Sequence, residues 1–322
     1  MKKVVLTGAT GFIGRHTIPF LLQQGYQVHA IYHNRKSVLT DNDSLIWHYC
    51  DLLNIEGQKK VFSEIKPTHL LHFAWNIDHK TYLSSLDNQR WVAASFNMIK
   101  NLKENKGERA VLAGTCFEYD SECGKYLKET TPLRACSLYG ACKIDLHKMI
   151  KSYVSEKGIS YAWGRIFFLY GPHEQPTRLV PSIILSLLQN QTANCLHGNL
   201  IRDFLYVEDV ASAFVALLES NISGPVNIAS GRPVSLKDIV NIIAEKLDKK
   251  ELIGFGKDSY PSNEPGILVA EVTRLNSEIG WRPKYDLDRG LEQTINWWKI
   301  TRQFSRKEQQ KKSDESPNKA AD

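Results

Sequence analysis

Thr7-Gly8-Ala9-Thr10-Gly11-Phe12-Ile13-Gly14 follows directly on the apolar run Lys3–Leu6 and opens the helical pattern Phe12–Gln24. A glycine cluster between a strand and a helix makes a phosphate-facing turn. Gly8 permits the reversal, Gly11 lets backbone N–H groups approach a pyrophosphate, and Gly14 lets helix and strand pack closely. The helix N-terminus adds partial positive charge at the same place. The stretch therefore reads as a dinucleotide site lined by Gly8, Thr10, Gly11, Phe12, Ile13 and Gly14, and it predicts a parallel sheet around it.

The rest of the first half keeps that rhythm. Strand-like runs at Gln27–Tyr32, Leu45–Tyr49, His69–Phe73, Arg109–Ala113 and Ser160–Phe168 alternate with helical stretches at Ile55–Ile65, near Tyr82–Glu104 and at Ser137–Lys157. Short apolar strands joined by amphipathic helices predict an α/β fold, a doubly wound parallel sheet covered on both faces. After Gly171-Pro172 the alternation breaks. Helices at Leu179–Gln189, Leu236–Leu247 and Leu287–Ile300, with short strands around Leu205–Val207 and Val226–Ile228, predict a smaller α+β lobe. The expected organisation is a dinucleotide-binding domain over 1–170, to which the chain returns later, and a mainly substrate-binding lobe over 171–302. The stretch 303–322, nearly devoid of apolar residues, is expected to be disordered.

Cofactor choice is read at the end of the second strand, where an NAD site places an acid on the ribose hydroxyls. By spacing that position is Tyr32, and no acid follows before Asp41. His33, Asn34, Arg35 and Lys36 come instead, and a cation there pairs with a 2′-phosphate. NADP(H) is therefore favoured over NAD(H), with His33, Arg35 and Lys36 as contacts, although Arg35 and Lys36 also suit a solvated turn. Asp51, after the third strand, reads either as an acceptor for the adenine amine or as a helix cap.

Two Tyr-x-x-x-Lys pairs occur, Tyr139/Lys143 and Tyr153/Lys157, each with its side chains on one helix face. Parallel sheets bind ligands at the carboxyl ends of their strands, and Tyr139 opens the helix that follows the fifth strand. Tyr153 lies about 21 Å further along the same helix at ~1.5 Å per residue, too far to share a reacting atom with Tyr139. The fifth strand Arg109–Ala113 runs into Gly114-Thr115, which puts the Thr115 hydroxyl at that same edge, so Thr115, Tyr139 and Lys143 converge as a proton-transfer site for a carbonyl. Tyr139 is the acid, Thr115 orients the oxygen, and Lys143 lowers the tyrosine pKa or holds the nicotinamide ribose.

Bulk properties narrow the partners. The chain has 322 residues, is 42% hydrophobic, and carries a net charge of +6. Its Lys and Arg are dispersed with no basic run interleaved with aromatics, so nucleic acid is not expected, and the positive excess suits an anionic small molecule. Six cysteines without a C-x-x-C or a zinc spacing, and no signal peptide or long apolar stretch, predict free thiols, no metal, no membrane span and a cytoplasmic location.

Together TGATGFIG, Asp51-Leu52, GTCFEY (114–119), YGACK (139–143), LYGP (169–172) and RDFLYVEDV (202–210) resemble the extended short-chain dehydrogenase/reductases, in order and over nearly everything up to Ile300. That resemblance implies a Rossmann domain with a C-terminal substrate lobe, a nucleotide-diphosphate sugar as substrate, and a homodimer paired through the helices near Tyr82–Glu104 and Ser137–Lys157. It also implies Thr115, Tyr139 and Lys143 as the catalytic set, Leu52, Phe73, Ala74 and Trp75 as further cofactor-lining residues, and Arg178 and Arg202 as substrate contacts, Arg202 on the diphosphate.

Departures from the family pattern narrow the chemistry. Family 4,6-dehydratases carry an acidic pair just after the catalytic Thr, where this chain has Cys116 and Phe117. Fucose-forming epimerase-reductases carry a Cys at the place of Phe117, with Cys116 one residue away. Simple 4-epimerases carry an acid after the second strand and an Asn at the place of Phe168. The motifs look most like the nucleotide-linked 4-keto-6-deoxyhexose reductases, which implies NADPH-dependent reduction of the C4 ketone to give a 6-deoxysugar donor for glycan biosynthesis. A nucleotide-sugar 4-epimerase with bound NAD(P) and a non-catalytic NADP-sensing regulator remain the alternatives.

Overall fold

Val4, Val5 and Leu6 have no exposed surface, so the strand that leads into the glycine turn is central, with helices on both sides. The computed structural model describes residues 2–34, 42–78, 80–123, 126–256 and 265–314, with side chains to residue 303. The first part of the chain runs β1 (Lys3–Thr7), α1 (Phe12–Gln23), β2 (Gln27–Tyr32), β3 (Leu45–Tyr49), α2 (Ile55–Ile65), β4 (His69–His72), α3 (Asp87–Glu104), β5 (Arg109–Thr115), β6 (Tyr126–Leu127), α4 (Leu138–Lys157) and β7 (Ser160–Ile166). It continues through β8 (Phe168–Tyr170), α5 (Leu179–Leu188), β9 (Ala193–Cys195), β10 (Ile201–Tyr206), α6 (Val207–Glu219), β11 (Gly224–Ile228), β12 (Pro233–Ser235), α7 (Leu236–Lys246), β13 (Ile253–Phe255), β14 (Ile267–Ala270) and α8 (Leu287–Asp314).

Seven strands form one parallel sheet in the order β11-β7-β5-β4-β1-β2-β3. The chain winds one way from β1 to β3 and the other way from β4 outward. The winding reverses between β1 and β4, and there a crevice opens at the carboxyl ends of the strands. All seven residues of β5 are buried, as a strand covered on both faces requires. One core cluster joins β1, β2, α1 and α6 and includes Leu6, Ile18, Leu21, Val28 and Phe214. The cluster on the other face includes Val5, Leu70, Met98, Leu112, Leu146 and Trp163. A second sheet, β12-β10-β14-β6 with β8 beside β10, carries α5, α7 and α8 over a third cluster that includes Ile184, Ile239, Ile243 and Leu291.

Three sequence expectations need correction. The helix expected from about Tyr82 starts at Asp87, because the Asn88 side chain donates to Tyr82 O (2.7 Å) and Ser85 O (2.8 Å) and holds the preceding residues in turns. The single strand expected over Ser160–Phe168 is interrupted at Phe167, so β7 stays in the main sheet and β8 leaves for the second. The backbone of α8 stays helical to Asp314, past the point where structure was expected to end. Lys, Glu, Gln and Arg are good helix formers, and a packed helix can propagate through them without any further apolar face. Residues 315–322 lie outside the described residues.

Candidate active site

Gly8 adopts φ +66, the left-handed conformation the turn requires, and a Cβ there would come within 2.9 Å of Ala74 N. A Cβ on Gly14 would lie 2.1 Å from Gly8 O, so only glycine lets α1 seat on the turn. The first turn of α1 has no side-chain cap, which leaves its N–H groups for a ligand. This cradle fits a dinucleotide's pyrophosphate. Arg15, which the sequence analysis missed, closes its rim: its guanidinium donates to Thr10 O (2.7 Å) and Gly11 O (3.2 Å) and meets His173 Nδ1 at 2.6 Å. The signal for it was its place immediately after Gly14. Phe12 lies edge-on to His16, and Ile13 packs into the core beneath.

Beside the cradle, the Thr7 hydroxyl lies 2.6 Å from His72 Nδ1 and accepts from Ala74 N (3.3 Å). His72 Nε2 sits 2.8 Å from the Ser95 hydroxyl, and burial followed by the nearby Lys143 charge lowers the imidazole to about 3, so it is neutral. Phe73 packs edge-on to Phe214. On the adenine side, Asp51 Oδ1 accepts from Leu53 N (2.9 Å), which makes it a turn-holding acid at its position after β3. Leu52 is core, and His33 faces Tyr49. Arg35 and Lys36 lie outside the described residues.

Thr115, Tyr139 and Lys143 are brought together at the crevice. The Thr115 hydroxyl hydrogen-bonds the Tyr139 side chain, which lowers the phenol pKa, but burial, Tyr82 and Glu118 push it the other way and win, so the phenol keeps its proton. Lys143 is buried, donates to Ala113 O (2.8 Å), and has its Nζ 3.7 Å from the centre of the Trp75 ring. Burial lowers its pKa to about 7, against the raising influence of Glu118. Tyr82 lies edge-on to Tyr139 at 5.2 Å, and Leu83 O accepts from Tyr139 N, so the turns before α3 roof the site. Tyr153 instead packs on Phe96 between α4 and α3.

Beneath the site, Glu118 has no exposed surface and accepts from Thr115 N (2.8 Å), Trp163 Nε1 (2.9 Å) and Arg165 Nε (2.8 Å). Cys116 turns into an apolar cluster with Leu127, Phe167 and Leu268, and burial pushes its thiol up to about 12. Arg178 stands at the N-terminus of α5 with its guanidinium 5.5 Å from the Tyr82 ring centre. Arg202 is buried, its guanidinium 5.3 Å from the Phe168 ring centre and its Nη1 donating to Ile201 O and Gly266 O.

Sequence reasoning also missed Glu174. Its carboxyl is buried and its Oε2 has no partner among the described residues. Burial raises its pKa from 4.5 to about 8, against Arg178 and the Gly171 amide. Between those values the folded chain holds a proton that the unfolded chain has released, so stability falls as pH rises through the window. Glu174→Gln is expected to match wild type near pH 5 and to be more stable by about 2–3 kcal/mol near pH 9. This is less than the full linkage value, because an ionised Glu174 is drawn toward Arg178. Denaturant titrations at the two pH values check it, and a difference that does not grow with pH counts against it.

A glycine cradle at the sheet's switch point, with a buried Thr, Tyr and Lys beside it, defines a dinucleotide-dependent enzyme of the Rossmann type. The NAD dependent epimerase/dehydratase family matches residues 4–229, and the chain belongs to that family. Among curated relatives it is 28% identical to the CDP-abequose synthase of Salmonella typhimurium strain LT2, over 91% of this chain and 97% of that one. It is 25% identical to the UDP-glucuronate 4-epimerase of Thermodesulfobacterium geofontis, over 93% and 97%. Among solved structures, UDP-N-acetylglucosamine 4-epimerase from Methanobrevibacter ruminantium, in complex with UDP-N-acetylmuramic acid, superposes with a TM-score of 0.85 at 23% identity, over 93% and 99% of the chains. The chain is thus an enzyme of a family that acts on nucleotide sugars with a nicotinamide dinucleotide. Among the described residues, no helix is long and apolar enough to cross a membrane and no cluster of three or more His, Cys, Asp or Glu is placed for a metal.

Proposed function

We propose that the protein is an NADPH-dependent reductase of the C4 ketone of a nucleotide-diphosphate 4-keto-6-deoxyhexose. The observation that carries the reading is what stands after Thr115. An elimination or a C3/C5 epimerisation needs a further acid and base there, but Cys116 is buried with a raised thiol pKa, and Phe117 cannot titrate. What is left is chemistry at C4 with one proton passed at one oxygen, and the reductase reading takes this as delivery to a carbonyl. A nicotinamide dinucleotide held in the glycine cradle would supply the hydride. Thr115 orients the oxygen, Tyr139 protonates it, and Lys143 provides the positive charge that eases departure of the phenolic proton. Arg178, over the Tyr82 roof, and Arg202 are assigned to the substrate's diphosphate side. Gly8, Thr10, Gly11, Phe12, Ile13, Gly14, His33, Arg35, Lys36, Asp51, Leu52, Phe73, Ala74 and Trp75 are assigned to the cofactor. The reading takes the protein as a cytoplasmic homodimer paired through α3 and α4, where Leu86 and Met149 expose apolar surface.

The 4-epimerase reading uses the same three residues and is favoured by the family members named as 4-epimerases. Cofactor absorbance separates the two. A reductase oxidises NADPH in step with loss of a nucleotide-linked 4-keto-6-deoxyhexose, whereas an epimerase interconverts sugars with no net consumption. Replacing Arg35 and Lys36 together by Ala should weaken NADPH binding by about 1.5–3 kcal/mol and leave NADH nearly unchanged. Equal affinity of the wild type for both cofactors would sink the NADP assignment.

A further inference from the structure

Lys143 is a buried cation without a carboxylate against it among the described residues. One hydrogen bond, to Ala113 O, holds its Nζ. The groups that face it are Tyr139 on its own helix, neutral His72 from β4, and Glu118 from the turn after β5, whose oxygens are taken up by Thr115 N, Trp163 Nε1 and Arg165 from β7. What lies closest is an aromatic face: the Nζ stands 3.7 Å from the Trp75 ring centre, and 5.9 Å from those of Tyr139 and Trp163. The Trp75 indole is fixed in that pose. Its Nε1 donates to Asn88 Oδ1 (2.7 Å), its ring stacks on Trp91, and its edge meets Tyr139. Asn88 is the same side chain that ties down the turns roofing the site.

We propose that Trp75 is a positioning residue of this enzyme: its indole face stands in for a counter-ion and keeps Lys143 charged and placed beside Tyr139. The inference rests on the reading of Tyr139 and Lys143 as the proton-transfer pair. A carboxylate at that place would neutralise Lys143 as seen from Tyr139. A ring quadrupole attracts the cation without cancelling its charge, and attracts it more strongly where water is excluded. It also leaves the remaining N–H directions of Lys143 for a ribose hydroxyl.

The test follows the Lys143 ammonium itself, by NMR titration of protein carrying ¹³C at the lysine side chains, with the Lys143 signal assigned by its absence in Lys143→Met. Trp75→Phe retains a ring face and should titrate close to wild type. Trp75→Leu removes it and should lower the Lys143 pKa by about 1–1.5 units. Activity that requires charged Lys143 fades as pH rises through its pKa, so the high-pH limb of kcat/KM should move down by the same amount in Trp75→Leu and return in Trp75→Phe. Should the Leu variant not fold, uniform replacement of tryptophan by increasingly fluorinated analogues weakens the ring face stepwise, and the Lys143 pKa should fall in step. An unchanged Lys143 pKa in Trp75→Leu or across the fluorinated series overturns the proposal, whether or not ketone reduction is observed. A lowered pKa in a protein that turns over no keto sugar upholds the role of Trp75 and discards the assigned reaction.

Discussion

Replacing Tyr139 by Phe is expected to slow ketone reduction about 10²–10⁴-fold while leaving dinucleotide binding intact, because the change deletes the transferable proton and little volume. The buried phenol and its Thr115 hydrogen bond are the basis for the size of the loss. Tyr153→Phe is the internal control: its ring packs on Phe96, about four helical turns away, and turnover should stay near wild type. Lys143→Ala should reduce both rate and cofactor affinity, whereas Lys157, which pairs with Glu156 at the surface, should tolerate Ala in both respects. Single-turnover rates and cofactor titrations on the four variants are the measurement. Comparable losses at the two pairs, or a fully active Tyr139→Phe, would remove the basis of the assignment.

Glu118→Leu is expected to destabilise the fold by about 3–5 kcal/mol in urea or thermal denaturation, since it leaves the Arg165 guanidinium buried without its carboxylate. Replacing both, as Glu118→Leu with Arg165→Met, should recover part of that loss, because the uncompensated charge goes with the arginine. Recovery stays incomplete, since Thr115 N and Trp163 Nε1 lose their acceptor in either variant. A double variant no more stable than Glu118→Leu would show that the charge is not what the pair protects. Thr115 is capped by this same carboxylate, so the substitution also tests how firmly the Thr115 hydroxyl is held.

The parallel sheet was legible because its strands are short apolar runs and its first turn needs glycine at fixed places. Gln27–Tyr32, Leu45–Tyr49 and Ile55–Ile65 coincide with the observed elements for that reason. Helical and strand periodicity report burial, and burial here is local in sequence. The surroundings of the site were not legible in the same way. Glu118 and Arg165 are 47 residues apart, and neither sits in a pattern that marks a buried pair. Tyr82 was read into a helix because its neighbours have helical spacing, and an Asn88 side-chain contact overrides that preference. The approach of Trp75 to Lys143 depends on the loop after β4 meeting helix α4, which no spacing within one segment encodes. Glu174 looked like any loop acid until packing closed over it.

The position of β11 at the rim of the seven-stranded sheet bears on how the chain is made as well as how it is held. Its partner β7 is complete at Ile166, but β11 is finished only at Ile228, after much of the second sheet has been laid down. On the ribosome the growing protein therefore carries an open strand edge whose middle residues are all buried in the finished fold, for the time needed to add those residues, on the order of several seconds. Such an edge invites pairing with another nascent copy. A fragment stopped before residue 224 would keep the glycine cradle and the Thr-Tyr-Lys cluster yet be prone to aggregate. An excised cofactor-binding half is thus a poor expression target, and a cut meant to isolate it belongs after β11.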